Sequence, residues 1–187
     1  MSAQLELTSK RLVLWAPAPE QAARVLAYYS KNRQHLADYE PVRPDSFYTL
    51  PYWEQALREA ADALRAGSGV RLYAALKSDP EGAVVAQVAL NNMVRGVFQA
   101  AYLGYSIDGE HQGQGLMAEA VETVVQYAFK QLKLHRVMAN YLPSNERSGR
   151  LLRRLGFRVE GYAHDYLKIA GSWQDHVLTS RLNPHEV

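Results

Sequence analysis

The chain has 187 residues, 48% of them hydrophobic and 21% charged, which predicts one ordinary globular domain spanning residues 1–187 with a buried core. It contains no Cys, so a thiol nucleophile, a thiolate metal site, a redox dithiol and a disulfide framework are all excluded. The net charge of +2 is too small for a dedicated polyanion binder, and a charged N-terminal stretch with no long apolar run predicts a soluble, cytoplasmic protein without membrane contact.

Residues 11–15 alternate as a short strand, and residues 19–30 follow with Ala22, Val25, Leu26 and Tyr29 at helical spacing behind a prolyl start. A second helix is predicted over 52–66, ended by Gly67-Ser68-Gly69. Three β-rich runs come next, 70–77, 83–91 and 100–107, joined by short turn segments that imply an antiparallel meander. After them the pattern changes to a glycine-rich turn, a helix with Met117, Val121, Val124 and Ala128 on one stripe, a strand over 136–141, a helix over 145–155, and strands near 157–162 and 176–181. The order predicts an α+β fold, a mixed and mostly antiparallel central sheet flanked by helices.

The turn between the third β-run and the stripe helix carries Gly113 and Gly115. Two glycines let successive backbone N–H groups converge, and the helix start adds about half a positive charge, so this turn suits a phosphate or pyrophosphate. Gly113-x-Gly115-x-x-Ala118 also satisfies a dinucleotide fingerprint, but that fingerprint belongs after a first strand and needs an acidic residue about 20 positions on, where this chain has Ala139-Asn140-Tyr141. Patterns for phosphoryl transfer, α/β-hydrolases and zinc peptidases are absent, and no metal is expected.

Gln112-Gly113-Gln114-Gly115-Leu116-Met117 resembles the coenzyme signature of the GCN5-related N-acetyltransferases (GNAT), departing from it only at Met117, where the family has Gly or Ala. The resemblance continues in Asn145-Glu-Arg-Ser148 and Leu155-Gly-Phe157 and covers nearly the whole chain. Within the family, the segments 102–107, 115–120, 138–141, 147–149, 155–157 and 160–167 are similar to the RimJ-type ribosomal-protein-alanine enzymes. The resemblance implies the GNAT fold, acetyl-CoA as co-substrate held by residues 112–117, and the N-terminal alanine of a ribosomal protein as acceptor. Ribosome association would follow, with the enzyme a monomer or a homodimer. Family enzymes that modify small amines, antibiotics or lysine side chains form the first alternative, and a non-catalytic coenzyme-binding or ribosome-associated module the second.

It further implies roles for individual residues. Tyr105, Ser106 and Ile107 would offer backbone groups to the pantetheine arm, which Asn145 would orient, and Ser148 would assist the departing thiol. Asn145 is equally a good helix N-cap, and a first-turn Ser bonds readily to local backbone. Glu160 is the first candidate for general base, with Asp175 and His176 in reserve. Glu40 and Arg43, between the two early helices, and Trp53 would touch the acceptor. With no Cys to carry the acetyl group, the chemistry is direct attack by a neutral amine in a ternary complex. An α-amine, with a pKa of about 7.7 to 8.0 against about 10.4 for Lys, asks little of a base.

Overall fold

The computed structural model describes residues 5–184. Eight strands form one sheet: β1 (Glu6–Thr8), β2 (Leu12–Trp15), β3 (Val70–Leu76), β4 (Ala86–Val94), β5 (Ala100–Ile107), β6 (Arg136–Tyr141), β7 (Arg158–Ile169) and β8 (Ser172–Leu182). Their spatial order is β1-β2-β3-β4-β5-β6-β8-β7. Every neighbouring pair is antiparallel except β5 with β6, which run parallel because a helix carries the chain back between them. The helices are α1 (Ala22–Lys31), α2 (Arg33–Leu36), α3 (Leu50–Ala66), α4 (Leu116–Lys130) and α5 (Glu146–Arg154).

Two hydrophobic cores lie on opposite faces of the sheet. Helix α4 buries Met117, Val121, Val124 and Ala128, the predicted stripe, against Leu12, Leu72, Val88, Leu103, Val137 and Ala139. Each side chain of Val or Leu size buried there contributes about 1.5–3 kcal/mol relative to exposure, so a charge at Val124 would break the packing of α4 on the sheet. The other face is covered by α1 and α3, where Trp15, Val25, Tyr29, Phe47, Trp53, Leu57 and Tyr73 pack together. Helix α3 ends at Gly67, whose positive φ of 66° lets its N–H reach back to the last turn.

Two expectations need adjustment. Strand β1 was not predicted: three residues, only one of them apolar, are too few to set a period, and antiparallel pairing with β2 decides their conformation. The last two strands are longer than expected, 12 and 11 residues, and form a hairpin that turns at Ala170 and Gly171, both at positive φ. β7 is an edge strand with mostly exposed residues, so hydrophobic alternation gives no signal for its outer half.

Candidate active site

The site begins where the sheet opens. The parallel ladder between β5 and β6 covers only Ala100↔Arg136, Ala101↔Val137 and Tyr102↔Met138. Beyond it, Leu103–Ile107 stay paired with β4 on one side, and their other edge has no strand partner among the described residues. A row of backbone donors and acceptors therefore faces a gap inside the sheet, as expected of Tyr105, Ser106 and Ile107.

Helix α5 stands at the mouth of this gap. Asn145 is its N-cap and accepts from the Ser148 N–H at 3.1 Å. The cap uses Oδ1, so the amide nitrogen is left to serve the pantetheine role expected of Asn145. The Ser148 hydroxyl is 2.7 Å from the Tyr105 hydroxyl. Burial, only partly offset by this hydrogen bond, pushes the Tyr105 phenol up to about 12, so it is a neutral donor at working pH. Gly149 follows, and a Cβ there would lie 2.8 Å from the Tyr141 ring, so only glycine lets α5 approach β6 this closely.

The loop 112–117 joins β5 to α4. Gly113 and Gly115 have φ of 74° and 78°, a conformation that costs an L side chain strain, and apart from its chain neighbours no described residue comes within 4 Å of where a Gly113 Cβ would be. The loop thus presents backbone N–H groups and the start of a 15-residue helix to open space, which fits the diphosphate of a coenzyme. Arg11 flanks it, donating to the Gln114 carbonyl at 2.9 Å and to Glu119 at 2.6 Å. On the other flank Arg147 donates to the Gln112 side chain, whose amide nitrogen meets His35 at 3.0 Å. Leu116 and Met117 are buried in the core, so they can meet a ligand only through their backbone.

Asp108 anchors the loop from below. It is 1% exposed and meets Lys31 at 2.9 Å, Asn32 at 3.1 Å and His111 at 3.1 Å, while accepting from the Glu110 N–H at 2.9 Å. Burial alone would raise its pKa, but the hydrogen bonds from Lys31, Asn32, His111 and Glu110 outweigh it and hold the carboxyl well below the usual carboxylate range. This cluster ties the end of α1 to the start of the glycine loop.

On the opposite face of the gap a second set of side chains gathers. Val137 and Ala139 pack under α4, so alternation puts Arg136, Met138 and Asn140 on the far face, with Tyr102 and Ser106 from β5. Tyr28 of α1 is 2.9 Å from the Ser106 hydroxyl. Asn140 donates to the Tyr166 hydroxyl at 3.3 Å; Tyr166 also bonds Tyr102, and its ring meets that of His176 at 5.6 Å. Above them the segment 37–44 is fastened to the hairpin tip by the Ala170 N–H donating to the Glu40 carbonyl at 3.0 Å. Glu40 accepts from Arg43 at 3.1 Å, and both line a cleft of about 190 Å³ with Tyr29, Arg33 and Tyr48.

The expected residues are therefore brought together unevenly. Tyr105, Asn145 and Ser148 meet on one side of the gap, the loop 112–117 is tied to α5 through Arg147 and Gln112, the Ser106 side chain faces the other side, and Glu40 and Arg43 share one cleft. Glu160 does not join them. Its carboxylate accepts from Arg136 at 2.8 and 2.9 Å and from Ser180 at 2.7 Å. Arg136 opens β6, five residues before Tyr141 and so about 17 Å along the strand from the gap's mouth. Trp53 is 1% exposed and stacked on Tyr29 at 4.5 Å, a core residue that cannot wall a groove. Asp175 binds Tyr162, His164 and the Asp165 N–H away from the gap.

Sequence reasoning missed Arg11, Tyr28, Tyr102, Asp108, Asn140 and Tyr166, and the hydroxyl of Tyr105. Only Asp108 left a local signal, an acid at a strand end three residues before a histidine. Among the described residues there is no group of three or more His, Asp or Glu that could hold a metal ion. No helix among them is long and apolar enough to cross a membrane.

Residues 11–158 match the acetyltransferase (GNAT) domain family. The chain is 42% identical over 181 residues to the [ribosomal protein uS5]-alanine N-acetyltransferase of Escherichia coli (strain K12), covering 97% of this chain and 92% of that protein. It is 36% identical to the probable N-acetyltransferase YjcK of Bacillus subtilis (strain 168), over 86% of this chain and 88% of that one. Among solved structures, the ribosomal-protein-S5-alanine acetyltransferase from Vibrio fischeri superposes with a TM-score of 0.91 at 34% identity, covering 97% of this chain and 98% of that chain. RimJ from Mycobacterium smegmatis, solved with CoA-disulfide, shares the fold with a TM-score of 0.86 at 24% identity, over 96% of this chain and 86% of that one.

Proposed function

The chain belongs to the GNAT family and is an acetyl-CoA-dependent N-acetyltransferase, and within that activity we propose that it acetylates the N-terminal alanine of a ribosomal protein in the cytoplasm. The observation that carries this acceptor is the similarity to the E. coli uS5-alanine enzyme along 97% of the chain, which includes the hairpin and the segment 37–44 on the acceptor side. The ordinary reactivity of an α-amine supports it, because such an amine is partly neutral near pH 7.

In this reading the backbone N–H groups of residues 112–117 hold the diphosphate, with Arg11 and Arg147 on its flanks, and the free edge of Tyr105–Ile107 pairs with the pantetheine arm. Acetyl-CoA brings the thioester to the gap. Ser148 donates to the sulfur as charge develops there, and Tyr105, kept neutral by burial, donates to Ser148 in turn. The acceptor amine approaches from the face of Tyr28, Tyr102 and Asn140, so donor and acceptor meet across the sheet without a covalent enzyme intermediate.

The test is intact-mass and tandem sequencing of ribosomal proteins incubated with enzyme and acetyl-CoA. Acetylation of an alanine N-terminus is expected. Label confined to lysine side chains or to small amines would overturn the acceptor while leaving the acetyltransferase activity standing.

A further inference from the structure

An amine attacks a thioester through its lone pair, so an acceptor arriving as ammonium must first give up a proton to a positioned base. Glu160 is held by Arg136 and Ser180 at the far end of β6. On the acceptor face, level with the gap itself, the structure offers a different group.

His176 lies on β8 immediately before Val177, which pairs with Tyr141, the last residue of β6. Alternation sets it on the same face as Asn140 and opposite α4, toward which its strand mate Arg181 reaches to bind Glu122. The residue is 4% exposed. Its Nδ1 is 2.9 Å from the Gln174 carbonyl. A carbonyl only accepts, so Nδ1 carries a proton and the position left to exchange one is Nε2. Nε2 is not among the buried, unpartnered side-chain atoms, and no hydrogen bond from another described residue reaches it.

Tyr166 fixes the other side of the ring. Its hydroxyl accepts from Asn140 at 3.3 Å and bonds Tyr102, the last residue of β5 still paired with β6. Its own ring packs on His176 at a 58° tilt. Tyr166 packs on the imidazole and is itself bonded to Tyr102. The neighbouring Asp175 is turned away, toward Tyr162 and His164. A buried imidazole with one tautomer enforced, held by a tyrosine that reaches the root of the gap, has the form of a positioned base.

We propose that His176 is the general base of acetyl transfer and Tyr166 its positioning residue. Nε2 takes a proton from the acceptor ammonium, directly or through one water. The freed lone pair forms the C–N bond, and the C–S bond breaks with its electron pair on sulfur, which is protonated by Ser148. The second nitrogen proton passes to water in the groove, and Ser148 is recharged from water through Tyr105. The proton on His176 leaves to solvent, so the reaction releases one proton net.

This inference rests on the α-amine acceptor proposed above, so the wild-type enzyme is first assayed on two peptides, one beginning with Ala and one N-terminally blocked with an internal Lys. Transfer only to Lys sinks that acceptor, and the His176 test is then run on the Lys peptide. His176→Asn keeps a donor for the Gln174 carbonyl and removes the base. Its kcat is expected to fall about 100-fold, with the KM for acetyl-CoA within twofold, the acidic limb of the pH profile gone and activity partly restored by added imidazole. A kcat within threefold of wild type with the limb intact overturns the proposal. Should the variant fail to fold, carbethoxylation of the wild-type enzyme decides: modification of His176, mapped by tandem mass spectrometry, should track inactivation and be prevented by acceptor peptide. Inactivation that leaves His176 unmodified, or activity that survives its modification, overturns it equally.

Discussion

The two walls of the gap are built differently. The donor wall comes from two short stretches, 105–117 and 145–149, each shaped by local devices: positive φ at Gly113 and Gly115, a helix start, an Asn145 cap and a Ser one turn in. The acceptor wall draws Tyr28, Tyr102, Asn140, Tyr166 and His176 from five separate elements. In the proposed reading, binding of a common coenzyme is thus written in contiguous residues, whereas recognition of the acceptor depends on tertiary packing.

That contrast can be broken from the donor side first. Gly115→Asp places a carboxylate where a diphosphate belongs, at a strained φ of 78°. Like charges about 4 Å apart repel by about 4 kcal/mol at an effective dielectric of 20, and Arg11, 3.5 Å from that position, offsets part of it. Calorimetry should show acetyl-CoA affinity weakened by about 100-fold in a folded protein, with acceptor peptide binding retained. Ser148→Ala should come next, lowering kcat by roughly 10- to 100-fold with coenzyme KM almost unchanged, because its hydrogen bond strengthens only as sulfur gains charge. Tyr105→Phe should give a smaller loss of the same kind. Steady-state kinetics under conditions where chemistry limits will separate the two.

Asp108 joins the walls, so its loss should be felt as stability. Asp108→Asn is expected to cost about 2–3 kcal/mol in chemical denaturation. Its folded pKa is depressed, so its contribution is fully present above the ordinary carboxylate pKa of about 4 and is lost as pH falls toward the folded value. Wild type and variant should therefore converge in stability as the solution is acidified below about pH 4. The smallest effect is expected from Glu160→Gln. With its ion pair to Arg136 partly exposed, stability should change by less than about 1 kcal/mol, and kcat and the acidic limb should stay as in the wild type.

The same division explains what could be read before folding. The stripe Met117, Val121, Val124, Ala128, the meander and the glycine turn were legible because period and turn chemistry are local, and the residues proposed to hold the coenzyme came from that turn and from the family resemblance. Trp53 was misassigned because an aromatic at helical spacing looks the same whether it faces a core or a groove, and only its stacking on Tyr29 decides. Glu160 carries a motif context but no sign that Arg136, 24 residues earlier, would claim it. The termination of the β5–β6 ladder after Tyr102 has no signature at all, since it depends on where a strand 36 positions away stops following its neighbour.

That early end to the ladder also acts as a filter on shape. A polypeptide entering beside Leu103–Ile107 would have to fit side chains on both faces of the sheet, against Tyr105 and Ser148 on one and Ser106 and Tyr28 on the other. An arm with amide groups but no substituents comparable to side chains satisfies the same backbone edge with a smaller cross-section. An opening inside a sheet, which would otherwise invite another strand, is in this way reserved for a slender guest, and the protein leaves part of one strand unpaired without offering it to its neighbours in solution.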